Sequence, residues 1–214
     1  MIAGLRNGFF ACAFGLCGVA SAGIITVDPS LPPTIGAYRT PAQVHAEYLA
    51  PGADIVLSDV NHFGFTNVVR FGATDELETF DSTVTGNVTI NGGPPIAVML
   101  VGSVQTEVFG KVGNTTGTFN TEMLQLNLSG GGILVRESPT LASTGQTTIA
   151  DLGGGTFRID SFFDVFTELS LDGGQTWSPS IRGPARVELV AEPGALALFG
   201  LGLAGLGLSR RRQA

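Results

Sequence analysis

The stretch Ser170-Leu171-Asp172-Gly173-Gly174-Gln175-Thr176-Trp177 carries the densest chemistry in the chain. A carboxylate at Asp172 is spaced to accept backbone N–H bonds within its own turn. The glycines admit positive φ, and Trp177 can fold back to pack beneath the turn. Ser170, Asp172, Gly174, Thr176 and Trp177 therefore form a candidate structural turn. An exposed tryptophan can also stack on a sugar ring, so a carbohydrate-binding module is an alternative function. Asp75, Glu76, Glu78 and Asp81 offer carboxylates to a Ca2+ ion, but without the regular Asp/Asn/Gly spacing of a calcium loop; a solvated acidic face is the plainer reading. His45 and His62 are the only histidines and have no ligand-like spacing, which gives neither a zinc site nor a Ser-His-Asp triad any support. Three N-x-S/T sequons begin at Asn87, Asn114 and Asn127. No catalytic constellation emerges, and the chain is read as non-enzymatic, with a secreted hydrolase as the remote rival.

The turn segment resembles the Asp-box, S-x-D-x-G-x-T-W, of sialidase-type propellers and other secreted β-proteins. Propellers carry several such boxes in a longer chain, and this one has a single copy. Sialidase chemistry would also require an arginine cluster and a Tyr/Glu nucleophile pair. The only tyrosines, Tyr38 and Tyr48, fall in the N-terminal part of the chain.

The elements that must position these residues are strands. From Ile55 onward, β-branched and aromatic runs are separated by Gly, Asn and Asp clusters such as Asn91-Gly92-Gly93, Gly130-Gly131-Gly132 and Gly153-Gly154-Gly155. Phe119, Thr121 and Met123 alternate with Thr118, Asn120 and Glu122, and Leu124, Leu126 and Leu128 alternate with Gln125, Asn127 and Ser129. One face of such strands is wet and the other buried. About ten short strands predict an all-β fold, an antiparallel two-sheet sandwich of jelly-roll or immunoglobulin-like type, over residues 54–190. Residues 23–53 precede it as a Pro-rich arm, Asp28 to Pro33, and a short helix over Ala42 to Leu49. That helix is capped by Thr40, opened by Pro41 and stopped by Pro51-Gly52.

The two ends of the 214-residue chain read as targeting signals. Residues 1–22 carry Arg6, an apolar run from about Phe9 to Ala20, and the small-x-small triplet Ala20-Ser21-Ala22. This is a secretory signal helix cut before Gly23. Both cysteines, Cys12 and Cys17, lie in that segment, so Gly23 to Val190 has none for a disulfide. That span holds seven basic side chains against seventeen acidic ones, a net charge of −10, which disfavours nucleic acid as a partner.

Residues 191–214 end the chain. Gly194 to Leu208 carries no polar side chain and as a helix would be about 22 Å long, short for a ~30 Å hydrocarbon layer. Glu192-Pro193 marks its outer edge, and Arg210-Arg211-Arg212 its cytoplasmic edge under the positive-inside rule. The acidic-proline dipeptide, the Leu/Gly/Ala-rich span and the terminal arginines resemble the PEP-CTERM sorting tail of Gram-negative bacteria, with Ala191 where the first proline of that motif stands. The resemblance implies an exported protein and an exosortase-like processing enzyme as partner. It also implies a C-terminal transmembrane helix held transiently in the membrane, and placement at the cell surface or in an exopolysaccharide matrix or biofilm.

Overall fold

The structure, a computed structural model, describes residues 23–191. The cleavage residues Ala20 and Ala22, the sorting residues Glu192, Pro193, Arg210, Arg211 and Arg212, and both terminal helices of the sequence reading lie outside the described residues.

Thirteen strands and no helix make up the described residues. They are β1 (Ile24–Thr26), β2 (Ala37–Arg39), β3 (His45–Ala50), β4 (Ala53–Phe71), β5 (Glu76–Ile90), β6 (Ile96–Val108), β7 (Gly117–Gly130), β8 (Ile133–Glu137), β9 (Ser143–Gly153), β10 (Thr156–Val165), β11 (Thr167–Ser170), β12 (Ser178–Pro179) and β13 (Ala185–Val190). The all-β expectation holds, but two separate sheets do not form. A sandwich leaves each sheet two open edges, whereas here β2 bridges β4 to β13 and β9 bridges β7 to β10. The ladder therefore closes as β4-β5-β6-β7-β9-β10-β13-β2, an eight-stranded antiparallel barrel.

The short strands fit the ring as broken staves. β4 to β7 are long and continuous, while on the opposite wall β3 extends β2, β8 extends β9, β11 extends β10 and β12 extends β13. All four breaks fall at one level, a waist, and backbone bonds span it: Thr40 N–H to Val60 O, Ser138 N–H to Phe166 O, Ser180 N–H to Thr167 O and Ile181 N–H to Glu47 O. Below the waist the ring completes through β3, β8, β11 and β12, where Tyr48 and Ser180 form the bridge between β3 and β12.

Two of the long strands, β4 and β7, carry bulges. Against β5, β4 carries three bulges of one extra residue each, between Ser58 and Asn61, Phe63 and Thr66, and Thr66 and Val69. Each bulge contains one residue at positive φ, namely Asp59, Gly64 and Asn67. In β7 the bulge falls at Leu124, because Gln105 pairs with Gln125 but Thr106 pairs with Met123. The sequence reading placed Leu124 with Leu126 and Leu128; the extra residue turns Leu124 outward, 38 % exposed, while Leu126 and Leu128 stay in the core.

The expected helix over Ala42 to Leu49 is corrected to strand. Residues His45 to Ala50 pair with β4 from Ser58 to Ala53, so Ala46 and Tyr48 point inward while Glu47 and Leu49 lie on the outer side. Ladder bonds and burial of Tyr48 outweigh a marginal eight-residue helical preference. The arm and β1 to β3 are likewise parts of the barrel rather than a preceding segment: Ile24, Leu31, Tyr38 and Tyr48 all join the single core.

An eight-stranded barrel has a bore that side chains just fill. Ile55, Leu57, Val84, Leu100, Leu126, Leu128, Val135, Leu169 and Leu189 fill much of it. One apolar cavity of about 60 Å³ remains, bordered by Tyr48, Leu57, Leu100, Leu128 and Val165. The arm closes the mouth opposite the β11–β12 turn: Leu31, Pro32 and Pro33 are buried, and Arg70 Nε donates to Leu31 O.

Close approach between staves makes one glycine a sharp test. A Cβ at Gly102 would sit within van der Waals overlap of the Asn127 backbone oxygen on β7. Gly102→Ala is expected to destabilise the fold by about 1–3 kcal/mol, read as a lowered denaturant midpoint with an unchanged m value.

Candidate functional site

The Ser170–Trp177 segment joins β11 to β12 as a turn closed on Asp172. Asp172 Oδ1 accepts from Gln175 N at 3.0 Å, Thr176 N at 2.9 Å and Ser170 Oγ at 2.8 Å, and Oδ2 accepts from Thr176 Oγ1 at 2.6 Å. Thr176, then Ser170 and Gln175, hold the carboxyl far below the usual carboxylate range. Gly173 and Gly174 adopt φ of 74° and 90°. Trp177 Nε1 donates to Gly174 O at 3.1 Å, and the Arg136 guanidinium lies 4.0 Å from the centroid of its ring. Arg136 is held there by Glu168, at 2.7 Å. The tryptophan is thus half-buried with a cation stacked on it, an arrangement worth about 0.5–1 kcal/mol at a partly exposed site. A sugar stacking on that face would have to displace Arg136.

The four acids Asp75, Glu76, Glu78 and Asp81 do not converge. Asp75 Oδ1 accepts the Gly110 amide at 2.7 Å, and Asp81 faces solvent, accepting from Asn67 Nδ2 at 2.7 Å. Glu78 turns into the bore, where Thr106 Oγ1 donates to its Oε2 at 2.8 Å. No group of three His, Cys, Asp or Glu side chains able to hold a metal is found among the described residues. His45 sits on β3 with Nδ1 3.1 Å from Gln43 O; His62 is buried on β4, edge-on to Phe65 with ring centroids 5.2 Å apart. Of the sequon residues, Asn87 donates to Asp59 Oδ2 at 2.9 Å, Asn114 to Gly110 O at 2.9 Å, and Asn127 lies opposite Ser103 and Arg136 in the β7 ladders.

Above the waist the bore is polar. Tyr38 donates to Ser161 Oγ at 3.0 Å, and Ser161 lies 2.7 Å from Thr147 Oγ1. Glu78, His62, Tyr38, Thr106, Thr121 and Thr147 border a cavity of about 20 Å³ beneath Leu31 and Pro32, room for a single water. Neither internal cavity approaches the ~300 Å³ of a small-molecule pocket. The oxygens Oε1 of Glu76 and Oε1 of Glu78 are both buried without a hydrogen-bond partner. The two residues stand two apart on β5, on the same face. Burial pushes the Glu78 carboxyl up to about 8; the Thr106 hydroxyl opposes this and the Glu76 charge adds to it. Burial pushes the His62 imidazole down to about 4. Glu78 was legible by parity, since it shares the inward phase of Phe80, Val84 and Val88, but reading it within an acidic cluster put it outside.

Residues 190–212 match the family model of the PEP-CTERM protein-sorting motif. The match begins at Val190, the last residue of β13. That motif belongs to exported, envelope-associated proteins of Gram-negative bacteria whose membrane-anchored tail is processed by exosortase. No curated protein and no solved structure matches the chain.

Two outcomes follow from the geometry. Asp172→Ala should accelerate amide exchange at Gln175 and Thr176 while leaving protection in β5 and β6 unchanged, as followed by hydrogen exchange. Glu78 favours its protonated form in the fold, so its stabilising share is complete below pH 4.5 and is lost as pH rises through about 8. His62 runs oppositely, its share being complete above pH 6.5 and lost as pH falls through about 4. Glu78→Gln should therefore gain on the parent as pH rises from 4.5 to 8, by a slope of at most about 1.4 kcal/mol per pH unit, in denaturant melts across that range.

Proposed function

We propose that the chain is a non-enzymatic component of the cell surface or extracellular matrix, delivered by its sorting tail and associated with exopolysaccharide. The sorting motif at residues 190–212 carries this reading. Its continuity with β13 makes the barrel the delivered cargo, with no further module between Val190 and the tail.

The barrel suits a structural role in an exposed setting. Its closed ring leaves no long open edge to recruit other chains, a hazard for a sheet protein outside the cytoplasm. Its core contains no cysteine, and its bore is filled by side chains. The surplus of carboxylates, −10 over Gly23 to Val190, keeps the particle soluble and attracts cations that can bridge it to acidic polymers.

Mass spectrometry of the protein recovered from the outside of its native cells tests the delivery. The expected species begins at Gly23 and lacks the apolar span and the arginines. Replacing Arg210, Arg211 and Arg212 by alanine should leave the barrel folded while reducing the released form. A full-length chain confined to the cytoplasm would refute the proposal. Depletion of extracellular polysaccharide tests the association: protein that remains in the same fraction without it is not held by it.

A further inference from the structure

The seven basic side chains between Gly23 and Val190 have unequal partners. Arg136, Arg158, Arg182 and Arg186 form salt bridges with Glu168, Asp160, Glu47 and Asp164. Arg39 donates to Asn61 Oδ1 at 2.8 Å. Arg70 bonds the Leu31 carbonyl and Lys111 the Asn114 carbonyl, so among the described residues Arg39, Arg70 and Lys111 have no carboxylate within ion-pair distance. Arg39 stands alone on β2, whereas Arg70 and Lys111 occur at the same place.

That place is the mouth stoppered by the arm. Arg70 and Lys111 border an open pocket of about 290 Å³ together with Ser30, Glu76, Asn114 and Thr115. Lys111 is only 8 % exposed, with Nζ 3.0 Å from Asn114 O and 5.7 Å from the centroid of the Phe119 ring. An ammonium has three donors, and this bond uses one. Arg70 spends Nε on Leu31 O, leaving the terminal amino groups of its planar fork for a bidentate acceptor. A desolvated ammonium without a counter-ion is unfavourable, and an anion in the pocket relieves it. The pocket is not purely cationic. Glu76 supplies an acceptor, while Ser30, Thr115 and Asn114 supply hydroxyl and amide groups. The hydroxyl and amide donors serve any anion, but the Glu76 carboxylate repels a bare one and accepts from a ligand carrying hydroxyls beside its carboxylate.

We propose that this mouth is a binding site for a hydroxylated carboxylate of monosaccharide size, its carboxylate on Arg70 and Lys111 and a hydroxyl donated to Glu76. Free sugar acids and uronate residues within a polysaccharide share that chemistry. The site stands on the barrel alone; only the polymeric source rests on the matrix reading above.

Titration calorimetry on the exported protein, with D-galacturonate, D-galactose, inorganic phosphate and polygalacturonate, tests it. Saturable binding of galacturonate and none of galactose is expected, with affinity falling about tenfold in Arg70→Gln and in Lys111→Gln. Arg70 is exposed, so its variant keeps the test valid if Lys111→Gln folds poorly. Response to polygalacturonate alone, lost in Arg70→Gln, supports the site with a polymeric source. Response to free galacturonate supports it with a soluble one. Three results overturn it: no saturable binding of either uronate, binding undiminished in both variants, or phosphate bound as tightly as galacturonate. Failure here with a correctly processed tail leaves the delivery reading intact.

Discussion

Ring closure is the constraint on which the rest of this molecule depends. Once β2 links β4 to β13 and β9 links β7 to β10, each of the eight ring strands has a hydrogen-bonded neighbour on both sides, and the interior dimension is set by strand number. Eight staves leave a space that Leu, Val, Ile and Phe side chains fill with cavities of only about 20 and 60 Å³. The cross-linking that small exported domains often obtain from cysteines is supplied here by topology, since residues 23 to 190 contain no cysteine.

The staves meet the twist of the ring in different ways. The β5–β6 ladder keeps one register from Glu76–Val108 to Val88–Ile96. Beside it β4 and β7 bulge, and on the other wall each stave is broken in two. The two halves then differ in content. Below the waist the bore is apolar around Tyr48, Leu100 and Leu128; above it, Tyr38, Ser161 and Thr147 form a hydrogen-bonded set beside Glu78 and His62. Those last two groups titrate in opposite senses, so acid and alkali each remove a different part of the stability.

Much of this was legible in the residues, and the failures have physical causes. Strand content and most strand positions followed from β-branched alternation and glycine-rich turns. Phe119, Thr121 and Met123 alternate inward as their spacing predicts, and the change of phase before Leu126 is what a bulge looks like in sequence. The Ala42 to Leu49 segment satisfied helical start and stop rules, yet Ala46 and Tyr48 equally satisfy a period of two, and only the neighbouring strand decides between them. Closure could not be read, because the β2 and β9 contacts that seal the ring join residues far apart in the chain. The Asp172 turn was legible because its bonds are local; the Arg136 stack on Trp177 was not, for the opposite reason.

The direction in which β13 leaves the barrel gives the particle a top and a bottom. It runs from the waist at Ala185 to Val190, toward the end closed by Leu31 and Pro32, while the Asp172 turn caps the other end. Val190, where the sorting motif begins, thus stands on the stoppered rim, and the tryptophan-bearing tip stands at the far end of the barrel, so the point of attachment and the exposed turn are separated by the full length of the staves.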